Sequence, residues 1–161
     1  MPLIEPGRKA PAFSLVDQSG RTHTLSQYAG RPLVLYFYPK DDTPGCTTEA
    51  CSFNARLPDF SKIDAAVLGV SVLDSASKAK FAAKYTLTFP LLADEDHAAA
   101  EKYGAWQEKR MYGKAYMGVA RVTYLIDASG KVARRWDKVK VDGHTDEVLD
   151  ELRKLGSGTR T

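Results

Sequence analysis

The chain has 161 residues, 43% hydrophobic and 27% charged, a composition that suits one globular domain, residues 1–161, able to bury its own core. Its 23 basic and 20 acidic residues leave a formal charge of +3 with the signs interspersed, which argues against nucleic acid as a partner. No run approaches the roughly 20 apolar residues that cross a bilayer. Met1–Phe13, carrying Glu5, Arg8, Lys9 and three prolines, lacks the apolar core of a signal peptide, so a cytoplasmic protein without membrane contact is expected.

Ala12 to Leu25 reads as a hairpin, with Phe13 and Leu15 before Gln18-Ser19-Gly20 and Thr22 and Thr24 after it. Leu33–Tyr38 (LVLYFY) is an unbroken apolar run between Pro32 and Pro39, the pattern of a central strand covered on both faces. A loop from Pro39 to Pro44 leads into a helix, with Thr43 suited to the N-cap and Pro44 to the first helical position. That helix presents Cys46, Ala50, Phe53 and Leu57 at helical spacing, and Pro58 is expected to end it. Ala65–Leu73 follows as a second buried strand, then a helix from about Ser75 to Lys84 and a short strand around Phe89–Leu92. Asp96 is expected to cap a helix that stops near Gly104. Arg121–Ile126 and Lys131–Trp136 are strands joined by a turn at Asp127–Gly130. A helix from about Gly143 to Leu155 closes the order, acidic at its start and basic at Arg153 and Lys154, as the helix dipole favours. Gly156–Thr161 reads as a frayed tail. This order makes an α/β fold: a mixed central sheet flanked by helices, with an N-terminal β-hairpin. A thioredoxin-like arrangement fits, as do other three-layer folds.

The chemistry-bearing segment is Tyr38–Cys51, YPKDDTPGCTTEAC, which holds both cysteines of the chain. With Thr43 as N-cap, Cys46 falls at the third helical position. Its sulfur then lies near free backbone N–H groups and the positive end of the helix dipole, and both favour the thiolate that attacks a peroxide oxygen. A cysteine in a helix is otherwise a small apolar residue on its inner face; the Thr-Pro-Gly entry and the second cysteine weigh against that here. Five residues of α-helix separate the Cα atoms of Cys46 and Cys51 by roughly 8.7 Å, beyond the ~7 Å a disulfide allows. Spacing alone therefore leaves Cys51 open as a bridge partner after unwinding or as a packed bystander. His23, His97 and His144 are scattered without ligand spacing and read as surface or turn residues, so no metal site is expected. The basic stretch Arg134, Arg135, Lys138 and Lys140 reads as a solvated strand face.

The run LYFYPKDDTPGCTTEAC (Leu35–Cys51) closely resembles the peroxiredoxin Q group, also called bacterioferritin comigratory proteins. Pro39, Thr43 and Cys46 match the peroxiredoxin Pro-x-x-x-Thr-x-x-Cys motif. GAWQEKRMYGKAYMGVARVTYLID (Gly104–Asp127) is similar to the group's Trp-x-Glu-Lys and Tyr-Gly-Lys segment with its downstream arginine. The similarity runs from Gly7-x-x-Ala10-Pro11-x-Phe13 to the last helix.

By that resemblance the chain is a thioredoxin-dependent peroxidase of hydrogen peroxide and organic hydroperoxides, active in antioxidant defence. Cys46 is the peroxidatic cysteine and Cys51 the resolving one, forming an intramolecular disulfide that thioredoxin or a similar dithiol reduces. Thr43 and Arg121 position sulfur and peroxide, Pro39 shapes the pocket, and Glu49 orients the arginine. No cofactor is implied, and the group points to a monomer. Val122 departs from the serine or threonine common after the arginine, which bears on peroxide preference. Trp106, Tyr112 and Tyr116 are candidates for the mouth of the site, though such aromatics usually pack. A thioredoxin-type oxidoreductase is the main rival, disfavoured by four residues between the thiols instead of two. A chaperone or redox-sensing module using Cys46 as a switch stays open as an additional role.

Overall fold

The computed structural model describes residues 2–158. Nine strands and five helices succeed one another: β1 (Ser14–Val16), β2 (Thr22–Thr24), β3 (Leu33–Phe37), α1 (Pro44–Ala55), α2 (Leu57–Lys62), β4 (Ala66–Ser71), α3 (Ser75–Tyr85), β5 (Leu91–Ala93), α4 (Ala98–Lys102), β6 (Trp106–Met111), β7 (Lys114–Val119), β8 (Val122–Ile126), β9 (Val132–Trp136) and α5 (His144–Gly158). Seven strands form one mixed sheet in the order β2-β1-β5-β4-β3-β8-β9, while β6 and β7 pair separately. β3 runs parallel to β4 and antiparallel to β8, so the LVLYF segment lies inside the sheet.

All five β3 residues are buried because the sheet is covered on both faces. Val34 and Tyr36 point into a cluster with Phe53 of α1, Phe60 of α2, Phe81 of α3 and Leu149 of α5. Leu33, Leu35 and Phe37 point the other way, toward Phe13, Tyr103 and Tyr124. The period-two alternation of a strand thus serves two cores. The coverage is uneven: α1, α2, α3 and α5 contribute to one cluster, whereas α4 and the N-terminal segment close the other. Tyr36 lies opposite Gly69 in register, and a Cβ there would meet its ring and hydroxyl at 2.9 Å. That close approach is why β4 carries a glycine.

Several boundaries differ from expectation. Pro58 does not end helical structure: α1 stops at Ala55, and Pro58 sits in the first turn of α2, where its missing N–H has no partner to lose. Asp96 reaches only Ala98 N–H at 3.2 Å; Asp94 instead takes the N–H groups of Ala99 and Ala100, while His97 holds the cap position with φ +50°. Burial of Asp94 beside the helix start makes it the stronger acceptor. α5 continues through Gly158, so Arg153 and Lys154 precede its last turn, and Thr159–Thr161 of the expected tail lie outside the described residues. His144 is buried, not a surface residue, because α5 begins beneath β8 and its Nε2 meets Thr123 Oγ1 at 2.8 Å.

Residues 106–119 form a hairpin that the sequence pattern does not announce. Met111 pairs with Lys114 across Tyr112-Gly113, both with positive φ, a two-residue turn that matches strand twist. Polar, mostly exposed strands give no burial alternation to read. Tyr112 is 97% exposed at the tip, Tyr116 is exposed, and Trp106 stacks on His97 with centroids 4.2 Å apart. Arg134 pairs with Glu151 and lies over Trp136, and Arg135 bonds Ile4 O and Glu5. Among the described residues no helix is long and apolar enough to cross a membrane.

Candidate active site

The site begins where β3 ends. Tyr38 leaves the sheet with its N–H on Val70 O, and the chain turns through Lys40–Asp42 into α1. Thr43 takes the N-cap backbone conformation and its carbonyl accepts from Thr47 N–H, as a helix start requires. Its hydroxyl, however, donates to Lys40 O at 3.0 Å and caps no N–H of α1. The loop is thereby closed on itself, and among the described residues no side chain accepts from the free N–H groups of the helix start. Pro39 is half-buried in this loop.

Cys46, Glu49, Ala50 and Phe53 form the buried face of α1. Cys46 stands at the third helical position and is 2% exposed. Arg121 enters from the junction of β7 and β8, which the register of Phe37 with Val122 places beside the end of β3. Its Nη2 donates to Cys46 Sγ at 3.3 Å and its Nη1 to Glu49 Oε1 at 2.7 Å. One planar fork thus spans two helix positions three residues apart, a match a lysine could not reproduce. Burial by itself would lower the Arg121 pKa, but Glu49 and Cys46 beside it hold the guanidinium above its ordinary value.

Glu49 is 1% exposed, and its Oε2 has no partner among the described residues. Burial pushes its carboxyl up to about 7 against the opposing pull of Arg121. The folded chain therefore holds a proton on Glu49 that the unfolded chain releases between 4.5 and about 7, so stability falls as pH rises through that window. Glu49→Gln is expected to flatten this slope, checked by urea midpoints between pH 5 and pH 8. Equal slopes in both proteins would refute the linkage.

Two further residues bear on the site, and neither stands out in the sequence. A Cβ on Gly45 would stand 3.1 Å from Arg121 Nη2, so the absence of a side chain lets the guanidinium lie across the helix start. Gly45→Ala should gain up to about 0.5–1 kcal/mol of helix stability yet slow Cys46 oxidation several-fold by displacing Arg121. Thermal melts and stopped-flow peroxide kinetics would check the opposite signs. Lys109 of β6 is half-buried, with its stem against Gly118. Burial lowers its pKa, the charge of Arg121 lowers it further, and Cys46 opposes both. The Pro-Gly-Cys and Trp-x-Glu-Lys runs were the available signals for these two.

Cys51 lies five residues farther along the same unbroken helix, half-buried against the core, and both thiols are free. Val122 is fully buried in β8. The arrangement is a cysteine sulfur at an uncapped helix start, bonded to a guanidinium that a buried carboxylate holds in place. It suits nucleophilic attack with stabilisation of charge on a departing oxygen.

Residues 6–135 match the AhpC/TSA family. The chain is 46% identical over 152 residues to peroxiredoxin Bcp of Bacillus subtilis, covering 94% of this chain and 97% of that one. The solved structure of the Xanthomonas campestris bacterioferritin comigratory protein, described for its alkyl peroxide reduction activity, superposes with TM-score 0.88 at 43% identity. It covers 94% of this chain and 99% of that chain. A Xylella fastidiosa PrxQ structure gives TM-score 0.90 at 39% identity, over 95% and 98% of the two chains. The α/β fold is therefore the thioredoxin-like fold of those structures, and this chain belongs to the AhpC/TSA family and, within it, to the Bcp and peroxiredoxin Q group, as a thiol-dependent peroxidase.

Proposed function

We propose that Cys46 is the peroxidatic residue, acting on hydrogen peroxide and organic hydroperoxides. The observation that carries this reading is the Arg121 fork, 3.3 Å from Cys46 Sγ and 2.7 Å from Glu49. The Cys46 thiolate attacks the terminal peroxide oxygen, the O–O bond breaks, and Cys46 becomes sulfenic acid while the departing oxygen leaves as water or alcohol after taking a proton. Arg121 stabilises both thiolate and departing oxygen, Glu49 orients Arg121, Thr43 shapes the loop and offers its hydroxyl oxygen to the peroxide proton, and Pro39 shields the pocket.

Cys51 then attacks the sulfenic sulfur, releasing water and forming a Cys46–Cys51 disulfide, which thioredoxin or a similar dithiol reduces. Because α1 is continuous from Pro44 to Ala55, its Cys46 end must unwind before the sulfurs meet. The protein works as a cytoplasmic monomer, a reading that rests on its likeness to the Bcp and peroxiredoxin Q group. The test follows thiol loss after mixing reduced protein with hydrogen peroxide, then turnover with thioredoxin and its reductase. Oxidation of Cys46 at the rate of an ordinary free thiol would overturn the assignment.

A further inference from the structure

The loop that precedes Cys46 is tied to α3 by a buried ion pair. Asp41 is 6% exposed and Lys78 is fully buried. Lys78 Nζ lies 3.3 Å from both carboxylate oxygens of Asp41 and also donates to Ser71 Oγ of β4. Asp41 further accepts from the Tyr38 hydroxyl at 2.5 Å and from Ser77 Oγ at 2.8 Å, so its oxygens are fully used. Next to it, Asp42 adopts φ +56° and accepts from Lys84 Nζ at 2.9 Å and the Tyr85 hydroxyl at 2.7 Å. The loop is thus held to both ends of α3.

The far half of α1 is held as well. Ser52 Oγ and Thr145 Oγ1 of α5 are 2.7 Å apart, and Asn54 bonds Thr86 O and Thr88 N–H just beyond α3. Between these attachments, residues 44–51 make tertiary side-chain hydrogen bonds only through Cys46 and Glu49 to Arg121, among the described residues. Converting the thiolate to neutral sulfenic acid weakens one of those two bonds. The segment that has to unwind is therefore the one whose attachment depends on the redox state of Cys46.

We propose that Asp41 and Lys78 are positioning residues that keep the Pro39–Thr43 loop fixed on α3, so that unwinding after oxidation is confined to residues 44–51. This rests on the Cys46–Cys51 reading above. Removing one partner of so deeply buried a pair leaves a charge without compensation. The loop would then lose its seat, and with it the alignment of Pro39 and Thr43 for the peroxide.

Two measurements test it. In wild-type protein oxidised with one equivalent of hydrogen peroxide, hydrogen exchange should show protection falling about tenfold or more over residues 45–51. Residues 38–42 and 75–85 should keep the protection they have in the reduced protein. Loss of protection through α3 together with α1 overturns the proposal. Second, Lys78→Met should slow the peroxide step about tenfold or more without slowing disulfide formation, read as separate phases in single-turnover stopped flow. Equal slowing of both phases would mark general destabilisation and overturn it. If mass analysis finds no Cys46–Cys51 disulfide, the resolving-cysteine reading fails, and the loop anchor stands or falls on the peroxide step of Lys78→Met.

Discussion

Replacing Arg121 by methionine is expected to slow the reaction of Cys46 with peroxide by about 10²–10³-fold, the usual cost of removing one preorganised donor from developing negative charge. The guanidinium makes the charge-assisted bond to Sγ, and Gly45 is bare where it crosses the helix start. Arg121→Lys should recover only a fraction of the loss, because an ammonium cannot reach Cys46 and Glu49 with one planar fork. Stability should change less than activity. Without Arg121, the Glu49 carboxyl, already raised to about 7, protonates at neutral pH instead of remaining a buried anion. Peroxide-dependent thiol loss measured by stopped flow, with melting curves of the same proteins, separates the two effects. A reaction rate within threefold of wild type in Arg121→Met would remove the arginine from the mechanism.

The second large effect concerns Cys51. In Cys51→Ser the first oxidation should proceed at the wild-type rate, since Cys51 makes no hydrogen bond to Cys46, Arg121 or Glu49. Turnover with thioredoxin should fall by about 10²-fold or more. The sulfenic acid would have no internal thiol to condense with and would advance to sulfinic acid under excess peroxide. Intact mass after peroxide treatment reads this directly: wild type should lose two hydrogens, the variant should gain two oxygens. Normal turnover of the variant would leave Cys51 as a packed helix residue.

Both effects converge on a segment whose outline is legible in the sequence. The unbroken Leu33–Tyr38 run, Thr43-Pro44 at the helix entry and the Cys46, Ala50, Phe53 spacing are local patterns, set by backbone geometry and by which side chains must leave water. They place Cys46 at the third position of α1 with no reference to the rest of the chain. The arginine is a different case. Nothing within ten residues of Arg121 marks it as more than a surface charge, and only the resemblance of Gly104–Asp127 to a known group singled it out.

The places where structure and sequence pattern differ have the same physical root. Proline breaks a helix interior, so local sterics make Pro58 a stop, but whether it ends one helix or opens the next depends on Phe60 packing under β3 and β4. The β6–β7 hairpin carries no burial alternation, so its strands are specified by cross-strand pairing and a Tyr-Gly turn. His144 is buried because α5 docks beneath β8, a contact between residues 21 positions apart.

By itself, then, the sequence determined the fold class, the position of Cys46 at a helix start and the presence of a second thiol five residues on. These depend on short-range periodicity and on backbone sterics. Only the tertiary structure decided which groups meet the sulfur and hold the loop before it: the Arg121 fork, the raised Glu49 carboxyl beside it and the buried Asp41–Lys78 pair behind the loop. Each joins residues far apart in the chain, and their charges matter only because folding removes them from water, where a 3 Å separation and a low dielectric turn weak interactions into strong ones.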